Sequence, residues 1–319
     1  SLFIAIMNEM KIYAAPLQGY TEMAWRNAHD EVFGGIEAYY TPFVRMEKGG
    51  VRNKDNREIN IHTNKVGHLV PQVIASGAEE FRMLVDHVHA MGYNEVDLNM
   101  GCPFPMMANY GKGSGMLVSP DKVKEVLAVM QEMPDICFSV KMRLGWQNAN
   151  EWKSVLPLLN ESRVSQIVLH PRIGKQQYKG EVDKKGFAAF YAECEKPLVY
   201  NGDLCTLNDV DEVMNAWPNL RGVMIGRGLL ANPALAAEIR EGKCLTQSEL
   251  YAKVAEMHRS IYLQYTRIIE GGEAQLVAKL KTMWEYLLPD MDKKRRKAIQ
   301  KSNKLDSYLR AVDEALAMN

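Results

Sequence analysis

The sequence predicts an α/β protein built on a parallel sheet, and three observations support this fold class. Short apolar runs that favour β-strands recur at intervals of roughly thirty residues. Helical hydrophobic patterns fill most of the gaps between them. Eight such units occupy about 240 residues, which is the length of a (β/α)8 TIM barrel. A doubly wound open sheet is the alternative, and the lack of a GxGxxG motif after the first run disfavours its dinucleotide-binding form.

Local signals justify the elements in order along the chain. Phe81, Leu84 and Val88 share one face of a segment between two apolar runs, which predicts an amphipathic helix there. Ser119 and Pro120 have the residue types of an N-cap and a first helical position. The predicted strands are 11–15, 37–43, 69–75, 95–99, 136–143, 166–170, 197–201 and 222–225, and the predicted helices among them are 78–91, 121–133, 208–217 and 230–241.

The pattern changes after the eighth unit. Thr246 and Glu249 form a capping box that opens a long amphipathic helix. More helical stretches follow, with a break at Pro289. We therefore predict two domains, a barrel over 1–243 and a small helical bundle over 244–319. The helices predicted in the bundle run from the capping box to the Gly271-Gly272 pair and over 273–288, 292–302 and 305–317.

Composition limits the classes of protein that this chain can be. Its 39 Lys and Arg residues balance 39 Asp and Glu residues, so a nucleic-acid partner would need a local basic patch. The five cysteines form no CxxC pair and no even set, which favours reduced thiols in a cytoplasmic protein. The apolar run 2–7 is too short to cross a membrane. No HExxH motif or carboxylate cluster predicts a metal site.

Cys102 is the strongest candidate for chemistry. It follows the predicted fourth strand, between Gly101 and Pro103, which place it at a strand end and not on a helix face. Reactive groups of parallel α/β barrels lie at that end of the strands. The alternative is an inert buried cysteine, because cysteine is among the residue types most often found in cores.

Other strand ends also supply polar groups. Gly202, Gly226 and Gly228 would let backbone N–H groups approach an anion after the last two strands, and Arg227 could add a charged contact. This predicts a phosphate site, with ordinary glycine turns as the alternative. The full set is Gln72, Asn99, Lys141, Arg143, His170, Arg172, Asn201, Gly202, Asp203, Gly226, Arg227 and Gly228.

Lys141 lies inside an apolar strand, where burial without a partner would be costly. It either faces an anionic or carbonyl-bearing cofactor or extends to water at the strand end. His170 taken alone is either a hydrogen-bonded core residue or a catalytic residue. The glycine-rich segment 109–115 is either a lid over the site or a long connection. The basic run of Lys293, Lys294, Arg295, Arg296 and Lys297 is either a solvated helix face or a contact for a phosphate backbone.

Taken together, these residues resemble the tRNA-dihydrouridine synthase family. The matching motifs run along nearly the whole chain. They are residues 15–19 after the first strand, Gln72, the segment 97–103, the segment 140–146, His170, the segment 201–203 and the segment 224–228. The helical C-terminal region agrees with the family as well.

The resemblance implies an FMN-containing TIM barrel that reduces particular uridines of tRNA to 5,6-dihydrouridine, with NADPH or NADH as the reductant. Hydride would pass from reduced FMN to C6, and Cys102 would give the proton to C5. A thiol with an ordinary pKa is protonated at neutral pH, which suits a general acid. By position, FMN would be held by Pro16, Leu17, Gln18, Gln72, Lys141, His170, Asn201, Gly202, Asp203, Gly226 and Arg227, and the RNA by Asn99, Arg143 and the run Lys293, Lys294, Arg295, Arg296 and Lys297.

The sequence departs from the family pattern at Leu17, where the family usually has Met, at Met100, and at Phe104-Pro105-Met106, where it commonly has a small residue and a lysine. RNA contacts beside Cys102 are therefore not carried over. Two other functions stay open: an FMN-dependent barrel reductase of a small dihydropyrimidine or enone, and an RNA-binding module without catalysis. The basic tail favours RNA, and the intact cysteine and lysine favour catalysis. We expect a monomer with no metal and no membrane attachment.

Overall fold

The computed structural model describes residues 10–317 and contains eight parallel strands. The apolar run 2–7 lies outside these residues. The strands alternate with helices as predicted, so the TIM-barrel prediction is confirmed. The barrel strands are β1 (Lys11–Ala14), β2 (Ala38–Tyr40), β3 (Leu69–Val70 and Gln72–Val73), β4 (Glu95–Met100), β5 (Cys137–Gly145), β6 (Ile167–Ile173), β7 (Leu198–Asn201) and β8 (Gly222–Ile225). A separate antiparallel pair, Met46–Glu47 and Gly50–Val51, lies outside the barrel sheet.

The sheet closes through the two halves of β3. Its first half pairs with β2 and its second half with β4, while β1 pairs with both β2 and β8. Pro71 separates the halves because it has no backbone N–H to give to a neighbouring strand. Its carbonyl still accepts the N–H of Asp97 at 2.9 Å. The strand therefore continues across the proline, which excludes the open-sheet alternative.

The helices match the predicted patterns with two corrections. The helix predicted over 230–241 is two helices, because Pro233 cannot donate a helical hydrogen bond. Ser119 occupies the N-cap position, but its side chain makes no capping bond. The helices are α1 (Met23–Val32), α2 (Asn53–Glu58), α3 (Ala78–Ala90), α4 (Pro105–Ala108), α5 (Pro120–Gln131), α6 (Trp152–Glu161), α7 (Lys184–Glu193), α8 (Leu207–Ala216), α9 (Arg227–Ala231) and α10 (Leu235–Glu241).

The barrel interior is packed and is not a pore. Tyr13 donates to the Gln166 side chain at 3.1 Å, and Gln166 donates to the Tyr40 hydroxyl at 3.2 Å. All three side chains are buried. The pairing satisfies polar groups that would be costly to bury alone. This layer fills the inside of the barrel beneath the carboxyl ends of its strands.

Helices also form the region after the barrel. The predicted capping box is confirmed, because Thr246 and Glu249 exchange side-chain-to-backbone bonds. The predicted helix over 273–288 is shorter and continues as a 3-10 turn, Thr282–Glu285. The domain boundary at 243 stays a prediction. The helices are α11 (Gln247–Ile268), α12 (Glu273–Lys281), α13 (Lys293–Lys301) and α14 (Leu305–Leu316).

The helical region is anchored on the start of the barrel. Buried Glu22 forms an ion pair with Lys279 at 2.7 Å and another with Lys54 at 2.7 Å. Gln264 of α11 donates to the carbonyl of Ala24 in α1 at 3.1 Å. These contacts fix the helical region beside the β1–α1 loop. Within residues 10–317, no helix is both long enough and apolar enough to span a membrane.

Candidate active site

A cavity of about 490 Å³ opens at the carboxyl ends of the barrel strands, within the size range of small-molecule sites. It unites groups that are far apart in the sequence. All candidate residues named for the cofactor, the catalytic cysteine and the nearby substrate contacts line it. They are Pro16, Leu17, Gln18, Gln72, Asn99, Cys102, Lys141, Arg143, His170, Asn201, Gly202, Asp203, Gly226 and Arg227.

Cys102 is held rigidly two residues beyond β4. The side-chain oxygen of Asn99 accepts the backbone N–H groups of Gly101 at 3.0 Å and Cys102 at 2.8 Å. Ser114 donates its hydroxyl to the Cys102 carbonyl at 2.8 Å. A Cβ at Gly113 would stand 2.7 Å from the Cys102 Cβ, so only glycine fits behind the cysteine. Residues 113–115 of the segment 109–115 are thus a packed support for Cys102 and not an open lid.

The environment keeps the Cys102 thiol protonated. Burial raises its pKa, and the Phe104 backbone N–H and the cations Arg143 and Lys141 only partly oppose that shift. The side chain is 6% exposed, on the wall of the cavity. A neutral thiol facing a cavity can give a proton but is a poor nucleophile. This arrangement suits a general acid.

A chain of buried hydrogen bonds supports Asn99 from below. Its amide donates to the Gln72 oxygen at 2.8 Å, and Gln72 donates to Asp97 at 2.8 Å. Ser139 donates to the other Asp97 oxygen at 2.7 Å. Burial raises the pKa of Asp97 to about 6, even though these donors favour the carboxylate. The Asp97 carboxylate can only accept hydrogen bonds, so it binds the NH₂ group of the Gln72 amide. This orients the oxygen of the Gln72 amide toward Asn99.

Lys141 points into the cavity floor from β5. Burial and the neighbouring charge of Arg143 lower the Lys141 pKa to about 8. No other residue of the described chain forms a hydrogen bond or ion pair with its ammonium group. A half-buried cation without a partner is costly. The site therefore fits a ligand that brings a carbonyl or an anionic group to Lys141.

Arg143 stands beside Lys141 and is fixed more tightly. Its guanidinium donates to the carbonyls of Ile173 at 3.1 Å and Gln177 at 2.6 Å. The Tyr178 ring lies 5.4 Å from Arg143 and 4.6 Å from Arg227, within cation–π range of both. Tyr178 therefore connects the β5 and β8 sides of the cavity.

The loops after β7 and β8 form an ion-paired cradle. Asp203 accepts from buried Arg172 at 2.7 Å and from Arg227 at 3.0 Å. The Asp203 carboxylate orients both arginines. Because it would repel an anion, a bound anion would instead accept hydrogen bonds from backbone N–H groups and from Arg227. The N–H groups of Gly202, Asp203 and Gly226 donate to no backbone acceptor among residues 10–317. This donor set fits a phosphate.

Two backbone features keep the cradle open. Gly202 has a φ of 143° and Asp203 has a φ of 50°, both in the region that favours glycine. A Cβ at Gly202 would meet Val182 at 3.0 Å and His170 at 3.2 Å. Gly202 therefore leaves room where a side chain would fill the cradle.

His170 enters the site as a neutral ring. Its Nε2 accepts a hydrogen bond from Arg172 at 3.0 Å, which leaves the proton on Nδ1. Burial, with further repulsion from Arg143 and Lys141, lowers the His170 pKa well below its ordinary value. His170 can therefore donate a hydrogen bond from Nδ1 at neutral pH.

Several residues that line the cavity or support its cradle were not predicted as binding or catalytic residues from the sequence. Arg172 was predicted only as a strand-end cation, and its position two residues after His170 on one strand was the available signal. Tyr178 follows β6 without any motif. Tyr20 donates to Glu285 at 2.5 Å, and Tyr20 and Tyr286 pack edge to face at 5.2 Å. These contacts between the barrel and the helical region leave no pattern in the sequence.

The basic run lies on α13, and none of its residues lines the cavity. Lys293, Lys294 and Lys297 belong to its outer face. Arg295 donates to the carbonyls of Ala315 and Ala317, and Arg296 to those of Trp284, Leu287 and Leu288. The two arginines thus hold helix ends together and leave the three lysines to face solvent. In the part of the chain that the structure describes, no cluster of three or more His, Cys, Asp or Glu side chains could hold a metal.

The fold and this site define a barrel enzyme in which a cradle of free backbone N–H groups, an unpaired lysine and a protonated cysteine share one cavity. The family model described as dihydrouridine synthase (Dus) matches residues 13–318. The chain therefore belongs to the dihydrouridine synthase family, and the resemblance predicted from its motifs is confirmed.

Individual relatives agree with this assignment. A probable tRNA-dihydrouridine synthase of Helicobacter pylori J99 is 27% identical over 236 residues, which cover 73% of this chain and 71% of the relative. One from Staphylococcus aureus MRSA252 is 27% identical over 263 residues, covering 79% of this chain and 77% of the relative. Morphinone reductase in complex with tetrahydroNAD superimposes with a TM-score of 0.53 at 9% identity, over 74% of this chain and 88% of that chain, which shows a shared fold.

Proposed function

We propose that this dihydrouridine synthase reduces uridines of tRNA to 5,6-dihydrouridine, with FMN as cofactor and NADPH or NADH as reductant. One observation carries the proposal. A buried, protonated Cys102 faces the same cavity as the unpaired Lys141 and a cradle of free N–H groups. The relatives named probable tRNA-dihydrouridine synthases support uridine in tRNA as the substrate.

The residues of the cavity fit FMN at both of its ends. The phosphate would lie against the N–H groups of Gly202, Asp203 and Gly226, with Arg227 as charged donor. Lys141 and Gln72 present donors toward the other end, where ring carbonyls and nitrogens of a flavin would accept, and His170 would stand beside the flavin or its phosphate. The loop after β1 supplies an apolar wall with Pro16, Leu17 and Gln18, and Asn201 completes the set.

Bound FMN, once reduced by the nicotinamide, supplies the hydride that adds to C6 of uracil. The chain supplies the other half of the reaction. The S–H bond of Cys102 breaks as its proton adds to C5, and the resulting thiolate is stabilised by the Phe104 N–H and the charges of Arg143 and Lys141. Solvent then returns a proton to the thiolate. Asn99 keeps the Cys102 loop in place, and Arg143, fixed by two carbonyls, would contact the uracil.

The RNA would also bind the helical region. Lys293, Lys294 and Lys297 point to solvent along one helix and would contact the phosphate backbone. Their neighbours Arg295 and Arg296 contribute by bracing that helix. The protein would act as a monomer in the cytoplasm, without a metal, because nothing in this scheme needs a second copy or a metal ligand.

Two measurements test the proposal. The purified protein should show the visible absorbance bands of a flavin, or acquire them with added FMN. With NADPH it should then form dihydrouridine in tRNA from a strain that lacks the gene. A protein that never binds FMN would overturn the proposal. Turnover of free dihydropyrimidines or enones, with no change in any tRNA, would assign the site to a small molecule instead.

A further inference from the structure

We infer that the segment just after Cys102 carries a stacking platform for a nucleobase that neighbours the target uridine. The platform consists of Phe104, Met106 and Tyr110. The inference rests on the proposed function and makes one part of it specific. It concerns base contacts, which the basic run on α13 cannot provide.

The platform side chains are far more exposed than apolar residues of this size usually are. Phe104 is 49% exposed, Met106 76% and Tyr110 73%. Buried Met107 and Ala108 lie between them in the chain, so the segment turns one side to the core and the other to solvent. Exposed apolar patches mark interaction sites, and three large exposed apolar side chains within residues 104–110 are a candidate for one.

The exposure does not come from a loose loop. The Phe104 carbonyl accepts the N–H groups of Met107 at 2.8 Å and Ala108 at 2.9 Å. A Cβ at Gly115 would stand 2.1 Å from the Ala108 carbonyl oxygen, so the next segment packs directly against this turn. Lys112 is fixed to Glu80 by an ion pair at 2.5 Å. The platform is therefore organised before any partner arrives, which lowers the entropic cost of binding.

The platform is continuous with the catalytic cavity. Phe104 lines that cavity together with Cys102, and its backbone N–H faces the Cys102 sulfur. A uridine whose C5 reaches Cys102 must bring its adjacent nucleotides to the rim beside Phe104. RNA that presents a single base to a site is unstacked there, and aromatic side chains replace the lost stacking.

The chemistry of the platform favours a base over the other possible occupants. Residues 104–110 carry no charge, so they cannot hold a phosphate by charge. Aromatic rings stack on any base, because every base has a π-face. Three side chains are too few for a stable contact with a protein or a second copy, since such interfaces bury about 800 Å² on each partner.

The test measures the Kd of the holoenzyme for unmodified tRNA. Phe104→Ala and Tyr110→Ala should each raise the Kd roughly 5- to 150-fold, the range that corresponds to the loss of one stacked base. Phe104→Trp and Tyr110→Phe should retain affinity, and Phe104→Leu should not. Met83→Ala and Leu263→Ala are matched controls, because both side chains are about as exposed as Phe104 but lie outside the platform and the cavity.

A second measurement identifies the base. Two tRNAs are compared, one lacking the base on the 5′ side of the target uridine and one lacking the base on its 3′ side. One of the two should bind the enzyme weakly, and Phe104→Ala should weaken the binding of that tRNA no further. Equal losses for Phe104→Ala and the two controls would overturn the platform. So would retained affinity in Phe104→Leu, or a concentration-dependent dimer that Met106→Ala abolishes. Dihydrouridine formation by the unchanged enzyme reports on the proposed function separately.

Discussion

The two sides of the cavity are held by different forces. The cradle after β7 and β8 depends on charge, with Asp203 between Arg172 and Arg227. The Cys102 loop after β4 depends on neutral groups, with the Asn99 amide and the Ser114 hydroxyl bound to backbone. Charge fixes the cradle, whereas the cysteine side keeps its reactive group uncharged.

This difference corresponds to the role proposed for each side. A bound phosphate keeps its charge, so a cradle with fixed arginines and free N–H groups is ready for it without rearrangement. A proton donor must hold its proton until the reaction, and burial maintains the Cys102 pKa above its ordinary value. Charged partners as close to the thiol as those around Asp203 would lower that pKa and favour the thiolate. Substitutions on each side should therefore have separate effects, and the largest is expected at the cysteine.

Replacing Cys102, the proposed proton donor, should separate the two half-reactions. Cys102→Ala should slow reoxidation of the reduced flavin by tRNA about 10²- to 10⁴-fold, which is the contribution of a general acid. Reduction of the flavin by NADPH should stay near normal, because it does not need the thiol. Rapid-mixing absorbance measures both rates. Equal losses in both half-reactions would contradict the assignment, and Cys205→Ala controls for loss of a cysteine that lines the same cavity.

Weakening the cradle should affect only ligands with a phosphate. Arg227→Ala should raise the Kd for FMN roughly 10- to 150-fold, the effect of losing a hydrogen bond to a charged group. Riboflavin, which has no phosphate, should bind as before. Flavin fluorescence quenching measures both constants, with Arg82→Ala, in a surface ion pair, as the control. If both flavins lose affinity equally, Arg227 contacts the ring and not the phosphate.

Removing the surface lysines should change how tRNA binding depends on salt. Replacing Lys293, Lys294 and Lys297 together with Gln should weaken tRNA binding on the order of tenfold at moderate salt. The same replacement should lower the slope of log K for tRNA against log salt concentration. Removal of each lysine–phosphate contact should reduce that slope by roughly one. Lys124→Gln, on an exposed lysine of the barrel helix α5, is the control. An unchanged slope would make the run a solvated helix face.

The pH dependence of flavin binding should reveal Lys141. With a pKa of about 8, its ammonium loses the proton above that pH in the flavin-free protein. A ligand that binds the ammonium raises this pKa, so binding takes up a proton and affinity falls as the pH rises. The fall should be roughly fivefold between pH 8 and 9 for one linked proton. The Lys141→Met protein should bind FMN more weakly at every pH, and its affinity should no longer change with pH. If the pH dependence persists in this variant, another group is responsible for it.

Much of the fold was predictable because its signals are local. The period of the apolar residues showed strands and helices, and the Thr246–Glu249 capping box fixed the start of α11. Errors arose where local preference met a constraint from neighbours. The helix predicted over 230–241 is divided at Pro233, and Ser119 makes no capping bond despite its favourable residue type.

The candidate site was predictable where a residue lies at a strand end. Cys102 and Arg227 belong to this class, because all parallel strands of a barrel finish at the same mouth. The sequence could not show which partners those residues have. Tyr178 meets Arg143 and Arg227 from a loop without a motif, and Tyr286 enters the cavity from the helical region.

The sequence by itself determined the order of the elements, the identity of the polar groups that the barrel strands bring to the cavity, and the family. These depend on periodicity and on residue types at fixed positions. Tertiary structure alone decided the protonation of those groups. Burial holds the proton on Cys102 and keeps His170 neutral, and burial together with the charge of Arg143 lowers the pKa of Lys141. A pKa depends on solvent exposure and on neighbours that are distant in the chain, and only the closed barrel brings those together.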